Sequence, residues 1–252
     1  MAAKTRTFLA LGGAVLVALS VSGCGGADVM DAPVEKKSFA FSGRTLTVAG
    51  HDSGLTLVPA DVQQIEVERQ VDGWALLGSG PEPVWELRGD TLDLKVKCSG
   101  IATNCQARHS VKVPRGVTVN VESDNGRVEA AGFTTDMAVT TDNGEIAVKD
   151  MSGRLNLKTS NGEIVGERLA ARSVTARTDN GTVEMGFAAT PDLVDGGSDN
   201  GSIRLTLPKA TYKVDVETGN GEARVDVPKA ETSSHVVKLR TDNGEVTVRS
   251  AN

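Results

Sequence analysis

The sequence predicts an all-β protein that folds as a parallel β-solenoid, and three observations support this prediction. A short unit recurs seven times along the chain at nearly constant spacing. Each unit lies between segments in which apolar and polar residues alternate, as they do in strands with one buried face. The residues between the two segments are almost the same in every copy, which is expected when equivalent positions stack on one another.

The repeated unit is clearest in TDNGEIAV at residues 141–148. Related octapeptides, SDNGRVEA, TSNGEIVG, TDNGTVEM, SDNGSIRL, TGNGEARV and TDNGEVTV, begin at residues 123, 159, 178, 198, 218 and 241. Asn and Gly occur in all copies, and the residue two positions before Asn is always Thr or Ser. The asparagines lie 18 to 23 residues apart, at Asn125, Asn143, Asn161, Asn180, Asn200, Asn220 and Asn243.

The flanks of each unit predict a strand, a corner and a second strand. In the second copy, Met137 and Val139 have one parity before the corner, and Ile146 and Val148 share one after it. Asn and Gly tolerate positive φ better than other residues, so we expect a sharp turn between the two strands.

Two arrangements of these strands are compatible with the pattern. Asn-Gly between alternating strands also predicts hairpins, which would give an antiparallel meander closing into a barrel or sandwich. That register would place Asp142 opposite Glu145, an unfavourable pair of like charges. A solenoid would instead stack equivalent residues about 4.8 Å apart. We expect it to place the Thr/Ser and Asn columns at an inner corner, where the Asn amides bond from rung to rung.

The first 23 residues have the features of a lipoprotein signal peptide. Two basic residues precede an apolar run at residues 8–21, which is shorter than the roughly 20 residues that a spanning helix needs. The run ends in Val21-Ser22-Gly23-Cys24, which is similar to a bacterial lipobox. We therefore expect Cys24 to be lipidated and to become the first residue after cleavage. An ordinary secretory signal and an uncleaved anchor are the alternatives.

The rest of the chain is predicted to be a flexible tether followed by one β-repeat domain. Residues 24–37 lack a clear pattern and include Gly25, Gly26 and Pro33. Residues 38–116 resemble a degenerate cap, in which His51-Asp52-Ser53-Gly54 is a worn copy of the corner. Residues 117–252 hold the regular repeats. Terminal repeats of a solenoid are expected to be atypical because they must close an open sheet edge.

One segment of the cap interrupts the alternation. Trp74 and Trp85 flank residues 78–83, a Gly- and Pro-rich stretch that we expect to be neither strand nor helix. The two tryptophans either cover the end of the core or form an exposed loop that contacts glycan, lipid or protein.

Cys98 and Cys105 are the two cysteines that remain once Cys24 is lipidated. Outside the cytoplasm, two such cysteines most simply form a disulfide. A metal site would need more ligands, and a redox motif would more often have the form Cys-x-x-Cys.

The composition gives little indication of catalysis or of a cofactor. The formal charge of −6 becomes −8 without the signal peptide, which argues against nucleic-acid binding. His51, His109 and His235 are far apart, and no nucleophile elbow, phosphate loop or dinucleotide fingerprint is present. We therefore expect no enzyme. A weak candidate for a Ca²⁺ site is the column of acids beside the asparagines, Asp124, Asp142, Asp179, Asp199 and Asp242.

Three stretches carry a resemblance to a known family. They are the recurring T-D-N-G-x-[IV]-x-[VL] unit, the Trp85-Glu86-Leu87 to Leu94 stretch before the Cys pair, and Val111-Lys112-Val113-Pro114-Arg115-Gly116-Val117. Residues 38–252 resemble the "putative adhesin" family of bacterial β-strand-repeat lipoproteins, whose function is unknown. The resemblance implies an extracytoplasmic, solenoid-like domain, and it brings no catalytic residues.

These observations predict a lipid-anchored, extracytoplasmic protein that acts as a non-catalytic, adhesin-like binding module of the cell envelope. Outward positions differ between repeats, as at Arg127, Glu145, Thr182 and Ser202, so an envelope glycan or protein would contact the lateral face. The alternative is a regulatory lipoprotein that senses the state of the envelope for a membrane signalling partner.

Overall fold

The computed structural model describes residues 29–251. The predicted signal peptide, Cys24 and the first residues of the predicted tether lie outside this range. Within it the chain is almost entirely β-structure, apart from one 3-10 turn at Val29–Asp31. Across residues 29–251 there is no helix with the length and apolarity needed to cross a membrane.

In the described residues, seven strands precede the regular rungs and are called the cap here, and each regular rung contributes two strands. The cap contains β1 (Glu35–Ala40), β2 (Thr45–Gly50), β3 (Gly54–Ala60), β4 (Gln64–Leu76), β5 (Ser79–Arg88), β6 (Thr91–Ser99) and β7 (Ala102–Pro114). The first four repeats contain β8 (Thr118–Asn125), β9 (Val128–Ala131), β10 (Met137–Asn143), β11 (Ile146–Lys149), β12 (Leu155–Asn161), β13 (Ile164–Leu169), β14 (Ser173–Asn180) and β15 (Val183–Phe187). The last three contain β16 (Leu193–Asn200), β17 (Ile203–Leu207), β18 (Lys213–Asn220), β19 (Ala223–Asp226), β20 (Val236–Asn243) and β21 (Val246–Ser250).

The repeats pair in parallel and in register, which confirms the solenoid. Val139 of β10 lies between Val121 of β8 and Leu157 of β12, and Ile146 of β11 lies between Val128 and Ile164. Each repeat is therefore one rung that gives its first strand to a 10-stranded sheet and its second to an 11-stranded sheet. The antiparallel meander is wrong, because a parallel ladder cannot be made from strands joined by hairpins.

The core is a column of aliphatic side chains between the two sheets. Leu157, Ile164 and Leu205 are at most 1% exposed, and the neighbouring outward positions are polar. Burying one such side chain contributes about 1.5–3 kcal/mol. Repeating this burial in every rung stabilises a chain that has few aromatic residues.

The rungs are not stacked in chain order at the C-terminal end. In the 10-stranded sheet β20 pairs with β16 on one side and with β18 on the other. In the 11-stranded sheet β21 lies in the same way between β17 and β19. The outermost rung, β18 and β19, therefore comes earlier in the chain than the rung next to it, β20 and β21. The repeat period does not predict this topology.

The strands of the cap are not stacked in chain order either. Strands β2 and β3 pair directly with β8 and β9, the first regular rung. Strands β6 and β7 flank them on the outside, followed by β5 and β4, which run antiparallel to their neighbours. Strand β1 forms the edge of its sheet and begins at Glu35, inside the segment predicted to be a tether.

Strands β4 to β7 continue past the corner of the solenoid and form a protruding arm, residues 71–84 and 95–107. Strand β3 begins opposite Arg108 of β7, and β2 ends opposite Leu94 of β6, so the arm residues have partners only among themselves. From Gln70 to Leu76 the arm extends six residues, or about 20 Å. The disulfide between Cys98 and Cys105 joins its two layers, as predicted.

The expectation of irregular structure at residues 78–83 is wrong over most of its length, since β5 begins at Ser79. Strand β5 is the edge of the 10-stranded sheet and pairs only with β6. Pro81 and Pro83 are tolerated there because an edge strand has one side without ladder hydrogen bonds. The disturbance is confined to a register shift between Ser79 and Glu82.

Candidate functional site

The corner of each rung, Thr/Ser-x-Asn-Gly, is held by three columns of contacts along the stack. The first is formed by Thr/Ser hydroxyls, most of which donate to the carbonyl oxygen of the corner Gly in the adjacent rung on the cap side. Thr141 is an exception, since its buried Oγ1 has no hydrogen-bond partner among the described residues. Such bonds join Thr159 to Gly144 at 3.0 Å, Thr178 to Gly162 at 3.0 Å, Ser198 to Gly181 at 2.9 Å and Thr241 to Gly201 at 2.9 Å. In these four rungs the bond accounts for the hydroxyl at this position.

The second column is a ladder of Asn side chains. Each Nδ2 donates to the Oδ1 of the Asn in the adjacent rung, at 2.9–3.1 Å, as in the bonds of Asn143, Asn161, Asn180, Asn200, Asn243 and Asn220. All the bonds point towards the cap. There Asn125 donates to Asp52 Oδ1 at 2.6 Å, so Asp52 of the worn copy takes the place of the next Asn.

The third column consists of the glycines, which allow the corners to approach closely. A Cβ on Gly162 would lie 2.0 Å from the carbonyl oxygen of Gly144, and one on Gly201 would lie 1.9 Å from that of Gly181. No side chain fits at such distances. Gly is therefore required by the contact between neighbouring rungs.

Two details of the predicted corner are wrong. The Thr/Ser column is buried, but the Asn side chains are on the exposed outside of the corner. The asparagines also do not adopt positive φ; among residues 29–251 the non-Gly residues with positive φ are Leu77, Asp150 and Arg168. Both errors have one cause, which is that the chain bends through a wide corner between two sheets. The alternation of a strand therefore does not predict which way the Asn side chain points, and the geometry of a hairpin turn does not predict its φ.

The acidic column beside the ladder lies on the exposed face of the corners. Asp124 accepts a hydrogen bond from His51, and Asp242 accepts one from Arg240. Within the described part of the chain, no three His, Cys, Asp or Glu side chains are grouped so that they could hold a metal ion. The structure therefore gives no support to the weak Ca²⁺ candidate.

His51 connects the cap to the first regular rung through two acids. Its Nδ1 lies 2.9 Å from Asp124 Oδ2, and its Nε2 lies 3.4 Å from Asp93 Oδ1. Burial opposes ionisation of Asp93, but the hydrogen bond from Lys95 and the charges of Lys95 and His51 outweigh it, so the pKa of Asp93 is below its ordinary value. The cluster is a polar bridge between rungs.

His109 and Trp85 lie at the base of the arm, where the core meets it. His109 is fully buried, its Nδ1 is 3.2 Å from Ser53 Oγ, and burial together with the charge of Arg69 lowers its pKa to about 4. Trp85 packs against the core, and Arg69 Cζ lies 3.8 Å from the centre of its ring. Trp85 thus has a structural role under Arg69, as a cation–π partner.

Trp74 differs from Trp85 because it points outward from the arm. It is 53% exposed and lies in the distal part of β4, opposite Asn104. The two predicted roles for the tryptophans therefore divide: Trp85 covers the core, and Trp74 is available for contact. His235, the remaining histidine, is near Asp192 and Pro191 in a different part of the molecule.

A shallow groove on the outer face of the 11-stranded sheet is the best-formed candidate for a binding site. Its volume is about 330 Å³. Ala147 and Val165 are adjacent in the ladder and form the floor, because their small side chains lie where Glu129 and Glu184 stand in the flanking rungs. The alternation of the sequence places Ala147 and Val165 outward, but it does not indicate that they line a groove.

The rim of the groove is charged, and its charges are paired. Arg127 contacts Glu129 at 2.7 Å and Glu145 at 3.0 Å, and Lys149 contacts Glu167 at 3.2 Å. Exposed pairs of this kind contribute little to stability and can exchange partners. The groove therefore offers an apolar floor together with hydrogen-bonding groups of both signs, a combination that suits a polymer with apolar and polar faces.

The fold and this site define a class, that of β-solenoid repeat proteins with a groove on the lateral face of the stack. The chain belongs to the Toastrack DUF4097 family, whose model matches residues 95–249. A search of curated proteins finds no match.

Several solved structures are distantly similar. They include a "putative cell adhesion protein" from Clostridium sporogenes, with 12% identity, a TM-score of 0.38 and coverage of 87% of this chain and 99% of the other. A "putative adhesin" from Bacteroides fragilis has 13% identity, a TM-score of 0.39 and coverage of 87% and 97%. With similarity this low, the fold rests on the strand pairing and the family match.

Proposed function

We propose that this protein is a non-catalytic, adhesin-like binding module of the bacterial cell envelope, held outside the cytoplasm by a lipid on Cys24. The observation that carries the proposal is the groove over Ala147 and Val165, a preformed surface on the rigid lateral face of the stack. Its partner would be an envelope glycan or an extended segment of an envelope protein.

Two further features support an extracytoplasmic location. The disulfide between Cys98 and Cys105 is of the kind that persists in oxidising compartments. The sequence Val21-Ser22-Gly23-Cys24 has the order of residues at which bacterial lipoproteins are modified and cleaved. Anchoring by lipid would place the binding face near the membrane surface.

Photo-crosslinking in living cells tests the binding face. A photo-reactive residue replaces Ala147 or Val165 in the groove, and matched controls replace Thr140 or Lys158, exposed positions of the same two rungs in the opposite sheet. We expect capture of one glycan or envelope protein from the groove positions and no such capture from the controls. Equal labelling of both faces would contradict a binding role for the groove.

The identity of the captured partner separates two functions. Wall polymer or wall protein supports the adhesin-like module. A single membrane regulator would favour the regulatory lipoprotein instead.

The anchor is tested separately by metabolic labelling with an alkyne-bearing fatty acid. Wild-type protein is expected to take up the label and Cys24→Ala to lose it. Label that persists in Cys24→Ala would contradict anchoring at this residue.

A further inference from the structure

The exposed apolar surface of the domain is concentrated in one place. Within residues 29–251 the large apolar side chains with high exposure are Met30, Val34, Trp74, Leu76, Leu77 and Ile101. Four of them lie in the distal part of the arm, and the other two lie in the segment where the described chain begins. Single exposed apolar residues are ordinary, but such a concentration marks a contact surface.

The distal arm, residues 73–81 and 98–107, contains no Asp, Glu, Lys or Arg. This is unusual in a chain of which 24% is charged. At its end, Leu77 and Ile101 are 76% and 80% exposed, and the amide of Ile101 donates to the carbonyl oxygen of Leu76 at 3.0 Å. Such a tip can enter an apolar medium without desolvating a charge.

The backbone at the tip is consistent with a functional role for its side chains. Leu77 has a φ of +51°, in the left-handed region. This conformation costs a non-Gly residue on the order of 1 kcal/mol, and Gly would avoid that cost. An apolar side chain is thus held outward at an energetic cost, which is a feature of functional sites.

The start of the described chain lies at the base of the arm. The side chain of Gln70 donates to the carbonyl oxygens of Met30 and Ala32, both at 3.0 Å, and Arg108 contacts Met30 Sδ at 2.9 Å. Gln70 and Arg108 face each other just before the arm leaves the solenoid. The chain therefore emerges beside the root of the arm.

The span from Cys24 to Val29 and the length of the arm are similar. Four residues lie between Cys24 and Val29, and the five Cα–Cα steps give a reach of at most about 18 Å. The arm extends about 20 Å beyond Gln70. A lipid on Cys24 and the arm tip can therefore reach the same plane.

We propose that the arm tip, with Trp74, Leu76, Leu77 and Ile101, inserts into the interfacial region of the lipid bilayer that holds the Cys24 anchor. The inference rests on the proposed lipid anchor, and it adds a second, non-covalent contact that fixes the orientation of the stack. Trp is favoured at the boundary between headgroups and acyl chains, where its ring is partly buried.

Fluorescence quenching in vesicles tests this contact. The full-length lipoprotein is reconstituted into vesicles of phosphatidylcholine and phosphatidylglycerol that carry bromine on the upper part of the acyl chains. Trp74 and Trp85 are the two tryptophans of the chain, so the difference between wild type and Trp74→Phe reports Trp74. We expect its emission to shift to the blue and to lose much of its intensity, whereas the emission of Trp74→Phe, from Trp85, is unchanged by bromine.

Charged substitutions provide a second measurement that does not disturb the core. Leu77→Asp combined with Ile101→Asp is expected to abolish the quenching of Trp74. The matched control, Thr140→Asp combined with Lys158→Asp on the outer face of the 10-stranded sheet, is expected to leave it in place.

Flotation with the vesicles and the mass of the N-terminal peptide report the anchor independently. Protein that floats but whose Trp74 is not quenched overturns the tip contact and leaves the anchor intact. If Cys24 carries no lipid, the proposed anchor fails. The tip contact is then tested by mixing the protein with excess brominated vesicles and measuring the quenching of Trp74. Quenching of Trp74 then shows that the tip binds the bilayer by itself, and lack of quenching overturns the contact.

Discussion

Asn220 donates its side-chain amide to Asn243 at 2.9 Å, although Asn243 belongs to the last rung of the sequence and Asn220 to the rung before it. Asn243 in turn donates to Asn200 at 3.0 Å. The final segment of the chain is therefore enclosed between two earlier rungs. Strands β20 and β21 therefore have a paired neighbour on each side. The outer edge of the stack is formed by β18 and β19, which the chain both enters from and leaves to other rungs.

The inserted rung can be tested by engineered disulfides. Asp195, Lys238 and Asp215 occupy the same register position in β16, β20 and β18. Adjacent strands are about 4.8 Å apart, so Asp195→Cys with Lys238→Cys should crosslink under mild oxidation. Asp195→Cys with Asp215→Cys would be two spacings apart, beyond the roughly 7 Å limit for a disulfide.

Peptide mapping by mass spectrometry identifies the crosslinked pair and separates it from the native disulfide. Efficient crosslinking of the pair at 195 and 215 would mean that the rungs stack in chain order.

The Asn ladder should contribute measurably to stability. Asn161→Ala removes the bonds to Asn143 and from Asn180. Each is worth about 0.5–1.5 kcal/mol, and their exposure favours the lower values, so we expect a loss of about 1–2 kcal/mol in the free energy of unfolding. Denaturant titration measures it.

Asp142→Ala is the matched control for the ladder, since Asp142 is exposed at a neighbouring corner. A surface substitution of this kind should change stability by at most about 0.5 kcal/mol. If the two substitutions reduced stability equally, the Asn ladder would not explain why Asn recurs in every repeat.

The corner glycines should tolerate no side chain. Gly162→Ala would place Cβ 2.0 Å from the carbonyl oxygen of Gly144, which forces the rungs apart. We expect a loss of about 3 kcal/mol, measured by denaturant unfolding. In Gly186→Ala the nearest atom would be 3.9 Å away, and the smaller entropy of the unfolded chain should make the change neutral or stabilising by up to about 1 kcal/mol. A neutral Gly162→Ala would refute the contact.

His109 should make stability depend on pH. Burial and Arg69 lower its pKa from 6.5 in the unfolded chain to about 4. The folded protein therefore binds this proton less readily, and stability is complete above pH 6.5 and falls as the pH decreases towards 4. At about 1.4 kcal/mol per pKa unit, the total is roughly 3 kcal/mol.

The measurement compares the free energy of unfolding of wild type and His109→Gln between pH 7 and pH 4. Carboxyl groups titrate in both proteins, so their contribution cancels in the difference. The difference should change steadily over this range, and a constant difference would mean that His109 titrates normally in the folded state.

Much of the repeat region follows from local pattern. The alternation at Val139 and Val148 identifies the buried face, and the Thr-x-Asn-Gly unit identifies the corner, because both depend on nearby residues. The rung-to-rung bonds of the asparagines were predicted for the same reason, since identical residues at a fixed period must meet when coils stack. The exposure of Asn161 and the strand at Ser79 were not predicted, because corner shape and edge position depend on neighbouring strands.

The sequence by itself determined the parallel solenoid, the period, the buried apolar columns and the pairing of Cys98 with Cys105. Only the tertiary structure decided the insertion of the last rung, the arm and the groove over Ala147 and Val165. The physical reason is that a local pattern fixes which face of a strand is buried. It does not fix which rung pairs with which, because the rungs are nearly equivalent, and long-range packing determines their order in the stack.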